Sequence, residues 1–161
     1  MLSTFALLTS RLPADELDQL GRRLQFSRAY LNHLQDARAV IAHLPRLDGP
    51  LPPSEIVAIL EPANEVGWLV GWAAAPGAQV RANIERFARQ WRFVKPTIDG
   101  RTLGELTGLK PGPLYKHLLE ALRRAWLDGS IATQEQERAL LQRLMAELEP
   151  PEDDMKLETK N

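Results

Sequence analysis

The residues best suited to chemistry lie in the turn Lys110-Pro111-Gly112-Pro113 and in the helix predicted to follow it. Pro113 fits the first turn of a helix, where the missing N–H of proline is not needed. The free N–H groups at that helix start attract anions, and Lys110 and Lys116 flank them. Gly112 would let the backbone of a ligand approach closely. The spacing indicates a phosphate-binding site, and the alternative is an ordinary helix-turn-helix corner that Pro and Gly merely shape.

The charge of the chain is concentrated in its middle, although the net charge of all 161 residues is only −1. Residues 1–80 carry 6 basic and 8 acidic side chains, residues 81–126 carry 10 and 4, and residues 127–161 carry 4 and 9. The middle segment therefore has a net charge of +6 between two acidic segments, which suggests an anionic partner. The alternative is that these cations simply form the solvated faces of two helices.

Further cations occur at helical spacing on either side of the turn. Residues i and i+3 are neighbours on a helix, so Arg86, Arg89 and Arg92 are predicted to lie along one ridge. Arg123 follows in the helix after the turn. These four arginines are the second group of predicted phosphate contacts, after Lys110, Gly112 and Lys116.

Motifs for catalysis and for metal binding are missing from the sequence. It contains no P-loop, no G-x-G-x-x-G, no G-x-S-x-G and no H-E-x-x-H. There is no cysteine, and His33, His43 and His117 are far apart, so no metal site is expected. No signal peptide is evident, and the longest uncharged apolar run, residues 66–75, is about half the ~20 residues that span a bilayer. We expect a soluble cytoplasmic protein.

Helical periodicity recurs along the chain and no strand pattern does, so the predicted fold is all-α, an irregular bundle of about seven to nine short helices. Residues 1–149 are expected to form one domain, and the polar, charged residues 150–161 are expected to be disordered. Trp68 and Trp72 share a helix face and could stack on bases, but their apolar neighbours favour a place in the core.

The region around the turn has clear predicted helix boundaries. Thr102 is a candidate N-cap, with Glu105 completing a capping box. Gly129 is the candidate that ends the helix after the turn, and Thr133 with Gln136 forms a second capping box. The helix between Pro113 and Gly129 has one apolar face, made of Leu114, Leu118, Ala121, Leu122 and Ala125.

This region resembles a segment near the C-terminus of bacterial tRNA nucleotidyltransferases, which are the CCA-adding enzymes and their poly(A) polymerase-like relatives. In that family a G-x-x-L…G-x-K-P-G-P turn leads into a helix that ends in L-D-G-x-I. The residues that match this pattern are Gly100, Leu103, Gly108, Lys110, Pro111, Gly112, Pro113, Leu127, Asp128, Gly129 and Ile131. Residues 90–96, QWRFVKP, are also similar to what precedes the turn, and a looser likeness covers most of residues 1–148.

The resemblance implies a helical body and tail that hold tRNA through its phosphates. It does not carry over any catalytic residue, because the family's magnesium-binding carboxylates and nucleotide-selecting neck belong to segments not found here. Arg22-Arg23 is followed by Leu24, where the family's R-R-D element has an acidic residue. No cofactor is therefore expected in this chain, and Mg²⁺ would belong to the head of a parent enzyme.

The first functional hypothesis is thus a tRNA-binding helical domain of a nucleotidyltransferase-like protein that lacks the catalytic head. Two alternatives remain open. A helix-turn-helix DNA-binding protein would use residues 102–124, although Pro113, Leu114, Tyr115 and Lys116 are unusual base-reading residues. A helical protein-interaction module would show a large exposed apolar patch around Trp68 and Trp72.

Overall fold

The structure is a computed structural model that describes residues 7–9 and 12–148. These residues form helices and connecting turns without any strand, which confirms the all-α prediction. Residues 150–161, which were expected to be disordered, lie outside the described residues. The α-helices are α1 (Ala14–Arg23), α2 (Arg28–Leu47), α3 (Pro53–Leu60), α4 (Glu65–Ala74), α5 (Ala78–Arg89), α6 (Gly100–Thr107), α7 (Pro113–Leu127) and α8 (Gln134–Leu148), and a 3-10 turn covers Trp91–Phe93.

The chain divides into two compact units, Met1–Val94 and Lys95–Asn161. The division falls inside the segment that the sequence suggested would be a single domain. Among the residues described, no helix is long and apolar enough to cross a membrane.

The first unit is built around a close crossing of α2 and α4. Gly71 permits it, because a Cβ at this position would lie 2.3 Å from Val40 Cγ1. Gly67, one turn earlier, also lies close to α2, since a Cβ there would be 3.2 Å from the backbone of Asp36. The neighbouring core consists of the buried residues Leu17, Leu34, Ala37 and Val70.

Helix α5 packs an apolar stripe into the same unit. Val80, Ile84 and Phe87 are buried. Asn83 is buried as well, and its side-chain N–H donates to the backbone carbonyl of Leu47 at 3.1 Å. This hydrogen bond connects α5 to the end of α2. It also satisfies a buried amide, which would lower the stability of the fold if it had no partner.

The second unit packs α6, α7 and α8 around one apolar core, made of Ile98, Leu103, Leu118, Leu122 and Leu141. The apolar face predicted for α7 is confirmed at Leu118, Leu122 and Ala125, which are buried. Leu114 is 37% exposed and does not belong to this core.

The ends of these helices follow the predicted chemistry with one exception. Gly129 has φ +69° and follows the last turn of α7, and Thr133 and Gln136 exchange the hydrogen bonds of a capping box. The prediction of Thr102 as an N-cap is wrong. Asp99 caps α6 instead, since its carboxylate accepts the Thr102 N–H at 2.8 Å, and Glu105 forms an ion pair with Arg101.

Candidate nucleic-acid interface

Cations from two separate segments of the second unit line one groove of about 280 Å³. Lys95 comes from the segment before α6, while Lys116 and Arg123 lie two helical turns apart on α7. We call this the basic groove, and its apolar lining is provided by Pro96, Ile98 and Leu119. Lys116 is exposed and Arg123 is half-buried, so the groove presents cationic groups beside apolar side chains.

One wall of the basic groove is held in place from α8 by a buried carboxylate. Glu137 is fully buried. Its two oxygens accept the backbone N–H of Thr97 at 3.2 Å and that of Ile98 at 3.3 Å, and the Thr97 hydroxyl donates to the same carboxylate. Because Ile98 belongs to the core and lines the groove, Glu137 fixes the segment that carries Lys95.

Two carboxylates moderate the charge of the basic groove. Asp99 and Glu120 line it beside the three cations, which leaves a net charge of +1 among its lining residues. The Lys116 ammonium lies 3.6 Å from Glu120 Oε1, and because both side chains are exposed this ion pair is weak. The backbone N–H of Thr102 donates to Asp99 and lowers the pKa of that carboxyl below its usual range, so Asp99 is anionic at neutral pH.

Lys110 and Gly112 lie in the exposed turn before α7, and neither lines the basic groove. Gly112 is the N-cap of α7, and no side chain caps this helix start. Its φ of −179° is an extended conformation open to any residue, and an added Cβ would be 3.8 Å from the Lys110 carbonyl oxygen. The fold itself therefore does not require glycine at this position.

The arginine ridge predicted in the first unit is wrong at its last member. Helix α5 ends at Arg89, because Gln90 leaves the helical conformation with φ −132° and ψ −62°. Arg92 lies in the 3-10 turn. Its guanidinium is 5.0 Å from the Trp68 ring centroid and 4.6 Å from that of Phe93.

Arg86 and Arg89 occupy the last turn of α5 as exposed side chains. Cations are favourable there because the end of a helix carries partial negative charge. Arg92 has a different environment, with an ion-pair distance of 3.7 Å to Glu65 Oε1 in addition to its aromatic neighbours. Of the three arginines of the predicted ridge, Arg86 and Arg89 thus lie at the end of α5 and Arg92 lies beyond it.

The two tryptophans of α4 have different environments. Trp68 is half-buried, its indole N–H donates to the Leu60 carbonyl at 2.8 Å, and its ring packs edge-on against Phe87. Trp72 is 40% exposed, so the prediction of a core position is wrong for this residue. Its indole N–H donates to Glu85 Oε1 at 2.8 Å.

Sequence reasoning assigned the groove residues only in part. Lys116 and Arg123 were predicted as phosphate contacts. Lys95 was not predicted, and neither was the role of Glu137 in supporting the groove. Glu137 lies in the first turn of α8, where a carboxylate is expected for the helix dipole alone, so no local signal distinguishes its buried role.

No group of three or more His, Asp or Glu side chains gathers at metal-binding distance within residues 7–9 and 12–148. Comparisons with protein-family models, with curated proteins and with solved structures found no match to this chain.

Proposed function

We propose that this chain binds folded RNA, with tRNA as the partner, by holding the phosphate backbone. The observation that supports the proposal most directly is the basic groove, where Lys95, Lys116 and Arg123 from two segments face one space. The resemblance of residues 90–131 to the tail of tRNA nucleotidyltransferases supports the choice of tRNA. Contacts of this kind position an RNA by its shape and charge and carry no base sequence information.

The number of cations at the groove limits the strength of RNA binding. Three cations line it, and Lys110 adds one exposed cation at the uncapped start of α7. About four phosphate contacts would give a slope of about −3 in a plot of log affinity against log salt, at ~0.7–0.9 per contact. Such binding is weak at physiological salt and measurable at low salt, as suits a domain that holds a substrate for chemistry performed elsewhere.

A fluorescence anisotropy titration of labelled tRNA across a salt series tests the proposal. The double variant Lys95→Gln/Lys116→Gln removes two cations from the groove and should reduce the magnitude of the salt slope by about 1.5. Arg143→Gln is the matched control, because Arg143 is an exposed cation of the same unit that does not line the groove.

A second variant tests the turn before α7. Gly112→Ala leaves the fold intact, since the backbone is extended and the space is open. If a phosphate of the tRNA contacts the backbone of this turn, Gly112→Ala should weaken tRNA binding. If no phosphate does, the affinity should stay unchanged.

Duplex DNA of equal length separates the proposal from the helix-turn-helix alternative. We expect tRNA to bind more tightly than the duplex. Equal effects of Arg143→Gln and of the double lysine variant would refute the groove as the interface. Absence of tRNA binding at low salt would refute the function altogether.

A further inference from the structure

A second groove lies in the first unit between α4 and α5. Its volume is about 420 Å³, within the range of small-molecule sites, and we call it the aromatic groove. Its lining includes Trp68, Leu69, Trp72, Ile84, Arg89 and Arg92. Leu69 is 59% exposed beside the exposed ring of Trp72, so the groove offers apolar surface to a ligand.

Contacts inside the unit hold the aromatic rings of this groove in position. The indole N–H groups of both tryptophans already have acceptors, the Leu60 carbonyl for Trp68 and the Glu85 carboxylate for Trp72. Arg81, which does not line the groove, lies over the Trp72 ring at 5.6 Å. The ring surface that remains exposed therefore needs no polar partner and is preorganised for stacking.

Two arginines lie on the side of the groove formed by the end of α5 and the 3-10 turn. The Arg92 guanidinium lies over the Trp68 and Phe93 rings, and its N–H donors suit an oxyanion. Arg89 is exposed, and in the described part of the chain no carboxylate pairs with it.

The groove also contains two carboxylates, and each has a partner. Glu85 accepts the Trp72 indole N–H, and Glu65 lies 3.7 Å from the Arg92 guanidinium. The Glu65 side chain is 76% exposed, so this pair is weak and can exchange for a phosphate.

We propose that the aromatic groove binds an unpaired nucleotide of an RNA strand. The base stacks against Trp72 beside Leu69 and Ile84, and the phosphate contacts Arg89 and Arg92. Aromatic platforms beside cations are how single strands are held without base reading. This inference rests on the RNA-binding function proposed above. It adds a site in the first unit that binds an unpaired segment of the same RNA.

The chemistry of the groove favours a nucleotide over an apolar peptide. A ligand must present a flat apolar face next to an anion to use both the Trp72 ring and the arginines, and a nucleotide combines these groups in one unit. A peptide would bury aliphatic side chains on the same surface, and a leucine at position 72 would keep part of that burial without offering a ring for stacking.

Variants at position 72 separate these two chemistries. Binding of a labelled, mixed-sequence, short single-stranded RNA is measured by anisotropy at low salt. Trp72→Leu, which keeps an apolar side chain without a ring, should weaken binding about tenfold, while Trp72→Phe should stay within about threefold of the unaltered protein. Trp72 is partly exposed, so both variants are expected to fold, as circular dichroism verifies.

Arginine variants test the phosphate contact. Arg89→Gln should reduce affinity for the single strand about threefold and lower the salt slope by about 0.7. Arg22→Gln is the matched control, since Arg22 is an exposed arginine of the same unit outside the groove, and it should change neither quantity.

The lysine double variant of the basic groove distinguishes this proposal from the proposed function. It should reduce binding of whole tRNA and leave the effect of Trp72→Leu on the single strand unchanged. If whole tRNA binds through the basic groove and the single strand does not bind, the inference is overturned and the function stands. Equal affinity of Trp72→Leu and the unaltered protein for the single strand also overturns it.

Discussion

Replacement of Glu137 gives the sharpest test of how the basic groove is built. In Glu137→Ala the backbone N–H of Ile98 loses its acceptor inside the core, and that of Thr97 loses its acceptor nearer the surface. An unsatisfied buried donor costs about 1–3 kcal/mol, and the Thr97 N–H can regain part of its loss from water. We expect the free energy of unfolding to fall by about 3 kcal/mol, a large share of the stability of a small unit.

Glu137→Gln provides the graded comparison. The amide keeps one acceptor oxygen but presents an NH₂ group to the second backbone donor, so one hydrogen bond is retained and one is lost. The expected loss is about 2 kcal/mol. Thr97→Val removes only the hydroxyl that donates to Glu137, and should cost about 1 kcal/mol.

Urea denaturation followed by circular dichroism measures these losses, and hydrogen exchange locates them. In the unaltered protein the Ile98 amide should be protected, and in Glu137→Ala its protection should fall at least tenfold for every ~1.4 kcal/mol lost. A loss below about 1 kcal/mol for Glu137→Ala, or an unprotected Ile98 amide in the unaltered protein, would refute the view that Glu137 fixes this wall.

Two further predictions concern the first unit and the start of α6. Gly71→Ala should cost about 1–3 kcal/mol through contact with Val40, and Val40→Ala in the same chain should recover part of this loss, as a double-mutant cycle of unfolding free energies would show. Because the pKa of Asp99 is lowered in the folded state, its contribution to stability is present above the unfolded pKa of ~3.9 and is lost as pH falls through the folded value. Asp99→Asn keeps a capping side chain but should remove this acid-dependent loss of stability. Hydrogen-exchange protection of the Thr102 amide, followed through an acid titration, measures the effect. An unchanged acid response in the variant would contradict the assignment.

Local patterns were enough to predict much of the helical framework. The spacing of Leu118, Leu122 and Ala125 predicted the buried face of α7, and Gly129 was predicted to end that helix. These features depend on neighbours within one helix or one turn, where backbone geometry leaves few choices. The cap of α6 was misassigned because Asp99 and Thr102 are both good capping residues, and the sequence alone does not show which turn begins the helix.

The candidate sites depend on contacts that the sequence does not display. Lys95 lines the basic groove beside Thr97 and Ile98, whose backbone N–H groups are held to α8 by Glu137, about 40 residues further along. Trp72 was expected in the core because its neighbours are apolar, yet tight packing of Gly67 and Gly71 against α2 directs that side of α4 inward. The exposed side of α4, with Leu69 and Trp72, follows from this crossing and not from local hydropathy.

The position of Glu137 along the chain has a consequence for how the protein is made. The three cations of the basic groove are translated before Glu137. A nascent chain can therefore contain all three cations before the hydrogen bonds to Glu137 fix the wall of the groove. The groove reaches its final form only after the start of α8 has left the ribosome. Until then, the Lys95 segment is free to contact other chains or nucleic acids, and prompt synthesis of α8 limits how long that exposure lasts.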